Sequence, residues 1–339
     1  MNSRERVLRA LALQKGDRIP VVPFIITFAG KYAGFKFIQY AKNPEVLVES
    51  QIAMARRFKI DAVYVDSDPI IEIESMGAEV QYPEDESPMA SKPAVKTAAD
   101  IKSLRMPDPE RDGRLPVWLN AIRSLKEEVG DELAVFGSVN GPFQATAQLL
   151  GITEACKCMY RNPGLINELL VLTTEVVANF VNAEVRAGAD AIVVGDAMSS
   201  PTVISPRHFE QFSFPFITKV MHQAGDAVPF ILHICGDATR IIDKMVETGT
   251  RYLEVDSYVD LAKVRQRFGS SVGIIGNISP NLLLNGRVKQ VEESCRGAIE
   301  AAGGTGAYIL GSGCELPNNT PHENLDAMVK AAERYGRYE

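Results

Sequence analysis

His233 and Cys235 stand two residues apart at the end of the apolar run VPFILHIC, and a second cysteine, Cys314, closes the glycine-rich segment Gly311-Ser312-Gly313-Cys314. On a strand, residues i and i+2 point to the same side, so the two side chains of H-x-C can share one ion. The paired glycines let the backbone bend, so the Cys314 thiol can reach across a strand-end mouth. One imidazole and two thiolates suit Zn²⁺, and a three-ligand set leaves the fourth tetrahedral position open for a reacting group. A thiol entering that position is deprotonated by the ion, which yields a thiolate nucleophile at neutral pH. The expected chemistry is alkylation of a thiol, with His233, Cys235 and Cys314 as both metal ligands and catalytic residues. H-x-C by itself reads more readily as core packing; a distant cysteine in a glycine-rich loop at another strand end moves the reading to zinc. Cys156 and Cys158 lie two apart on a predicted helix, where such neighbours do not face each other, and Cys295 sits in a helix too, so these three read as packing or surface thiols.

Positioning these ligands needs a ring of strand ends. Eight short runs rich in Val and Ile occur at 18–25, 60–67, 133–140, 189–196, 228–235, 252–257, 271–277 and 307–312, separated by segments of helical spacing. That alternation is the pattern of βα units around a parallel sheet. Predicted helices cover 44–58, 163–186, 206–223, 238–247, 261–268, 288–302 and 321–335, several opening on Pro and closing near Gly. Eight units predict an α/β fold of the (β/α)8 TIM-barrel type. An open doubly wound sheet would want a glycine fingerprint after its first strand, and RIPVVPFIITFAG has none. Barrels of this length run as one domain, so 1–339 is read as a single unit. The long connections 69–132 and 141–188 are read as βα insertions over the C-terminal face.

Barrel chemistry sits at the carboxyl ends of the strands, and polar residues collect there: Asp66 and Asp68, Asn140, Asp196 with Ser199 and Ser200, Glu254 and Asp256, Asn277, and Glu315. Each of these could equally cap the following helix; as a ring they point to one pit. Asp68, Asn140, Asp196, Ser199, Asp256 and Asn277 are the candidates for holding the substrate. Glu254, Asp256, Glu315 or water could supply a fourth ligand.

The chain has 339 residues, 46% hydrophobic, and a formal charge of −7. An acidic chain without a Lys/Arg run lacks the electrostatic footprint of a nucleic-acid binder. No stretch holds the ~20 consecutive apolar residues of a membrane span, and MNSRERVLRA lacks the apolar core of a secretion signal. Five cysteines, an odd number, argue for reduced thiols. Together these predict a cytoplasmic protein with no nucleic-acid or membrane partner.

The segments PFILHICGDATRIIDKMVETG, LEVDSYVDL, VGIIGNISP and LGSGCELPNNTPHENLDAMV resemble the uroporphyrinogen decarboxylase superfamily, and more closely its zinc methyltransferase branch, the methylcobamide:coenzyme M methyltransferases and their bacterial relatives. The resemblance implies a TIM barrel with an H-x-C…C zinc site, matched here by His233, Cys235 and Cys314. It implies transfer of a methyl group from a methylated corrinoid, carried on a separate corrinoid protein, to a zinc-bound thiol that displaces cob(I)alamin. The turn Gly276-Asn277-Ile278 matches a family signature. The acceptor is left open between coenzyme M, another thiol such as homocysteine, and tetrahydrofolate. The rival branch is a metal-free decarboxylase of a tetrapyrrole. Asp68 matches the position of its catalytic aspartate, but its R-Q-A-G-R-Y segment is reduced here to Ala29-Gly30-Lys31-Tyr32, with no arginine between Arg18 and Arg56. A third reading is a barrel that binds a corrinoid without turnover; three ligands kept at strand ends argue against it.

Overall fold

A computed structural model describes residues 1–225 and 227–338. Among the described residues nine strands occur in chain order: β1 (Ala62–Tyr64), β2 (Val80–Gln81), β3 (Met89–Ala90), β4 (Ala134–Asn140), β5 (Ala191–Gly195), β6 (Phe230–Ile234), β7 (Tyr252–Val255), β8 (Gly273–Ile278) and β9 (Tyr308–Ser312). Seven form one sheet in the order β1-β4-β5-β6-β7-β8-β9, every pair parallel. Nearly every residue of these strands is buried, as helices on the outside and side chains within the ring require. The fold is the α/β barrel expected.

The run 18–25 takes the place between β9 and β1 without becoming a regular strand. Pro20 and Pro23 have no N–H to give to a ladder, so only single bridges form, Val21 to Leu310 and Arg18 to Arg337. Val22 N donates to Leu310 O and Leu310 N to Pro20 O on one side, while Asp61 N donates to Val21 O on the other. A buried ion network reinforces this seam. Asp61, with no exposed surface, accepts from Arg6 Nη1 at 2.7 Å, Arg18 Nη1 at 2.9 Å and Val21 N at 2.7 Å.

Two helix expectations change. The segment 206–223 is two helices, Pro206–Phe212 and Phe214–Ala224, because Pro215 cannot donate back into a continuous helix and Ser213 takes up a non-helical conformation. The segment 238–247 is helical only over Ile242–Glu247. The insertion 69–132 carries an antiparallel pair, β2 with β3, that the sequence pattern did not announce. The insertion 141–188 holds three helices, and the last, Pro163–Ala187, is long and apolar enough by composition to cross a membrane. Its most apolar window is 61% buried within this protein, so its apolar surface is that of a core helix.

Candidate active site

Strand β6 ends at Ile234, and its alternation puts His233 and Cys235 on the inner side, as does the turn after β9 for Cys314. His233 Nε2 lies 3.0 Å from Cys235 Sγ, and Cys235 Sγ lies 3.2 Å from Cys314 Sγ. All three potential ligand atoms fall within 4.8 Å of one another, within reach of one ion. They line a cavity of about 450 Å³ at the carboxyl ends of the strands.

The ring of His233 is held from behind. Its Nδ1 lies 3.2 Å from Glu254 Oε2, a charge contact short of a well-aligned hydrogen bond, and neither atom has another polar partner among the described residues. Tyr64 OH donates to Glu254 Oε1 at 2.8 Å, and the Phe24 ring packs against the imidazole at a centroid distance of 5.2 Å. Glu254 therefore stands on the side of the imidazole away from the thiols. Burial works against an imidazolium, but Cys235, then Cys314 and Glu254, hold His233 well above its usual range. The thiol pair titrates together: its hydrogen bond lowers Cys314 and raises Cys235, and His233 favours the ionised form of both. A cation taken up here needs the imidazole neutral and the thiols ionised, so its binding releases the protons these three groups hold.

The remaining candidates divide. Asp68 and Asn140 line the cavity, together with Asp66, Ser138, Gln144 and Glu315. Asp68 is not free, however: its buried carboxylate is gripped by Arg114 Nη1 at 2.6 Å and Nη2 at 2.9 Å. Arg114, 46 residues away, gave no local signal in the sequence. Asn140 donates through N and Nδ2 to Glu72 and accepts from Gln144 Nε2. Asp196, Ser199, Asp256 and Asn277 do not reach the cavity wall. Asp196 is buried, accepting from Gln144 N and Ser213 Oγ, and Ser199 Oγ donates to Asp196 O. Asp256 accepts from Gly236 N at 2.9 Å, fixing the turn that follows Cys235, and Asn277 Nδ2 ties down the loop after β7 through Asp256 O and Val259 O. These four act as braces. Of the possible fourth ligands, only Glu315 shares the cavity, where Thr27 N and Oγ1 donate to it.

Burial pushes Glu72 up to about 7 against the hydrogen bonds of Asn140, and Asp196 likewise to about 7 against Ser213 and Gln144. A carboxyl raised in the folded state binds its proton on folding, so stability falls as pH rises from the unfolded values near 4 to about 7 and is level beyond. Urea midpoints measured from pH 4 to 8 are expected to show that decline. Glu72→Gln with Asp196→Asn makes it shallower, the remainder coming from Asp66, Glu184 and Glu315, which burial also raises.

A family model for uroporphyrinogen decarboxylase (URO-D) matches residues 2–335. The chain belongs to the uroporphyrinogen decarboxylase family. Within that family it is 28% identical to a methylcobamide:CoM methyltransferase MtaA of Methanosarcina barkeri, over 98% of each chain. It is also 28% identical to a uroporphyrinogen decarboxylase of Enterobacter sp. strain 638, over 98% of this chain and 97% of the relative. A solved methyltransferase from Methanosarcina mazei superposes with a TM-score of 0.89 over 99% of both chains at 26% identity. The family is one of enzymes, and identity to the two activities is equal, so the site must discriminate between them. In this member of the uroporphyrinogen decarboxylase family, no Lys or Arg among the described residues lines the cavity, whose acidic side chains are Asp66, Asp68, Asp85, Glu86 and Glu315.

Proposed function

We propose that this chain is a cytoplasmic zinc-dependent methyltransferase, acting as one barrel domain, that moves a methyl group from a methylated corrinoid on a separate corrinoid protein to a thiol. The observation that carries the reading is the convergence of His233, Cys235 and Cys314 at a cavity without basic walls. The donor set fits the metal: one nitrogen and two sulfurs, close enough for a single tetrahedral ion, with cavity space beside them for a fourth ligand. Bound zinc keeps an incoming thiol as the thiolate at neutral pH.

The chain's own residues supply the rest. Glu254 and Tyr64 fix the imidazole orientation and leave Nε2 toward the thiols. Asp256 and Asn277 hold the turns beside Cys235 and after β7. Phe24, Ile26 and Val139 give the cavity apolar walls that limit water around the nucleophile. Outer partners of metal-bound histidines typically contribute ~10–100-fold to affinity. Glu254→Gln is therefore expected to weaken zinc by about that factor in a chelator competition, with the fold retained.

The decarboxylase relatives favour a second reading through Asp68. Its carboxylate is committed to Arg114, and a polyanionic porphyrinogen would face acidic walls. The test is direct. Zinc-loaded protein with methylcobalamin and a thiol is expected to give the methyl thioether and cob(I)alamin, and chelator-stripped protein to give neither. Release of CO₂ from a uroporphyrinogen, with no thioether, would reverse the assignment.

A further inference from the structure

We infer that the methyl acceptor is a thiol carrying a positive charge, and that anionic thiols such as a mercaptoalkanesulfonate are disfavoured. This rests on the thiol-methylation reading and specifies the substrate of that same site.

Two independent features of the cavity support it. The first is charge. The exposed turn between β2 and β3 brings Asp85 and Glu86 onto the cavity, above Asp66 on the inner wall. No Lys or Arg among the described residues offsets them: Arg114 is buried and spends its nitrogens on Asp68 and Glu74, and Lys36 pairs with Glu84, while the His233 ring on the wall is engaged by Cys235 and Glu254. A carboxyl that holds its proton offers an anion one hydrogen bond but no charge, and an ionised one repels it. The second feature is an unmatched acceptor. Glu72 takes the Asn140 amide N–H, which turns Asn140 Oδ1 toward Gln144 Nε2. The Gln144 amide is thereby oriented, and its Oε1 is left buried with no hydrogen-bond partner among the described residues, in a side chain that lines the cavity. A buried acceptor without a donor is costly until a ligand supplies one. Acidic walls select a positive charge and the waiting carbonyl a hydrogen-bond donor, and an ammonium supplies both; a cleft of one sign concentrates ligands of the opposite sign by ~10-fold or more.

The experiment uses the full chain with Co²⁺ in place of zinc. Four thiols of similar reach are titrated by the cobalt absorption bands: cysteamine, (2-mercaptoethyl)trimethylammonium, 2-mercaptoethanol and 2-mercaptoethanesulfonate. Methyl transfer from methylcobalamin is followed in parallel on the zinc form. The expected order is both cations tightest, then the alcohol, then the sulfonate, with at least about tenfold between cation and sulfonate. Gln144→Leu is expected to erode the advantage of cysteamine, with unchanged thermal stability as the control. Equal or tighter binding of the sulfonate overturns the inference. Preference for cysteamine alone also overturns it, because the quaternary cation cannot chelate the metal and so reports charge only. Charge-ordered binding without methylation upholds the site's preference for a cationic thiol but overturns its role as methyl acceptor together with the methyl-transfer reading. If no thiol perturbs the bands, both fall.

Discussion

Cys314→Ala is expected to reduce zinc affinity and thiol methylation together by roughly 10²–10³. The size follows from structural zinc sites that gain ~10–16 kcal/mol over four ligands, or roughly 2.5–4 kcal/mol each. Because Cys314 lies in a turn after β9 and not within the ladder, the loss should come with little change in thermal stability. Cys295→Ala is the matched control. Cys295 is fully buried in the helix Val288–Ala302, so its truncation should cost on the order of 1 kcal/mol of stability and leave zinc and turnover alone. Competition with a chromophoric chelator and a thioether assay read both proteins. A Cys314→Ala protein with full zinc and full activity would remove the cysteine from the site.

Asp61→Ala is expected to be the most destabilising single change at the barrel seam. It leaves Arg6 with Asp17 alone and deprives Arg18 of its carboxylate, the two side chains being only 8% and 14% exposed, and takes away the acceptor for Val21 N. Breaking a buried pair by deleting one partner typically costs ~3–5 kcal/mol, because the other charge stays behind uncompensated. The irregular segment 20–25 depends on this carboxylate more than a regular strand would, since its prolines forfeit ladder bonds. Urea unfolding of the variant should show the loss in midpoint with an unchanged slope. A shift below ~1 kcal/mol would mean the arginines find solvent instead.

The barrel was legible because seven of its strands are apolar runs bounded by helical spacing, and that pattern is local. The eighth run was legible as a place in the ring and misleading as a strand, since RIPVVPFI has strand composition but prolines that veto the ladder. The helix break at Ser213 was written in Phe214-Pro215 and outweighed there by apolar periodicity. At the site, H-x-C was readable because strand alternation is strict. The convergence of Cys314 was not derivable, because it depends on how β9 turns relative to β6 across the ring. Strand-end position alone did not separate the cavity wall from its braces: Asp256 and Asn277 end strands as Asp66 and Asn140 do, yet their side chains bind loops. Glu254 shows the same limit. Its spacing allowed a metal ligand, and only the β6–β7 register, which pairs it with His233, makes it the partner behind the ring. Arg114 lies in an insertion with no periodic link to Asp68, so no sequence pattern could pair them.

The most direct test of the account is the zinc content of the chain purified under reducing conditions, by elemental analysis, with Cys235→Ala measured beside it. The three-ligand site predicts about one zinc per wild-type chain and none retained by the variant. A folded, active wild type without zinc, or a variant that keeps its metal, would contradict it.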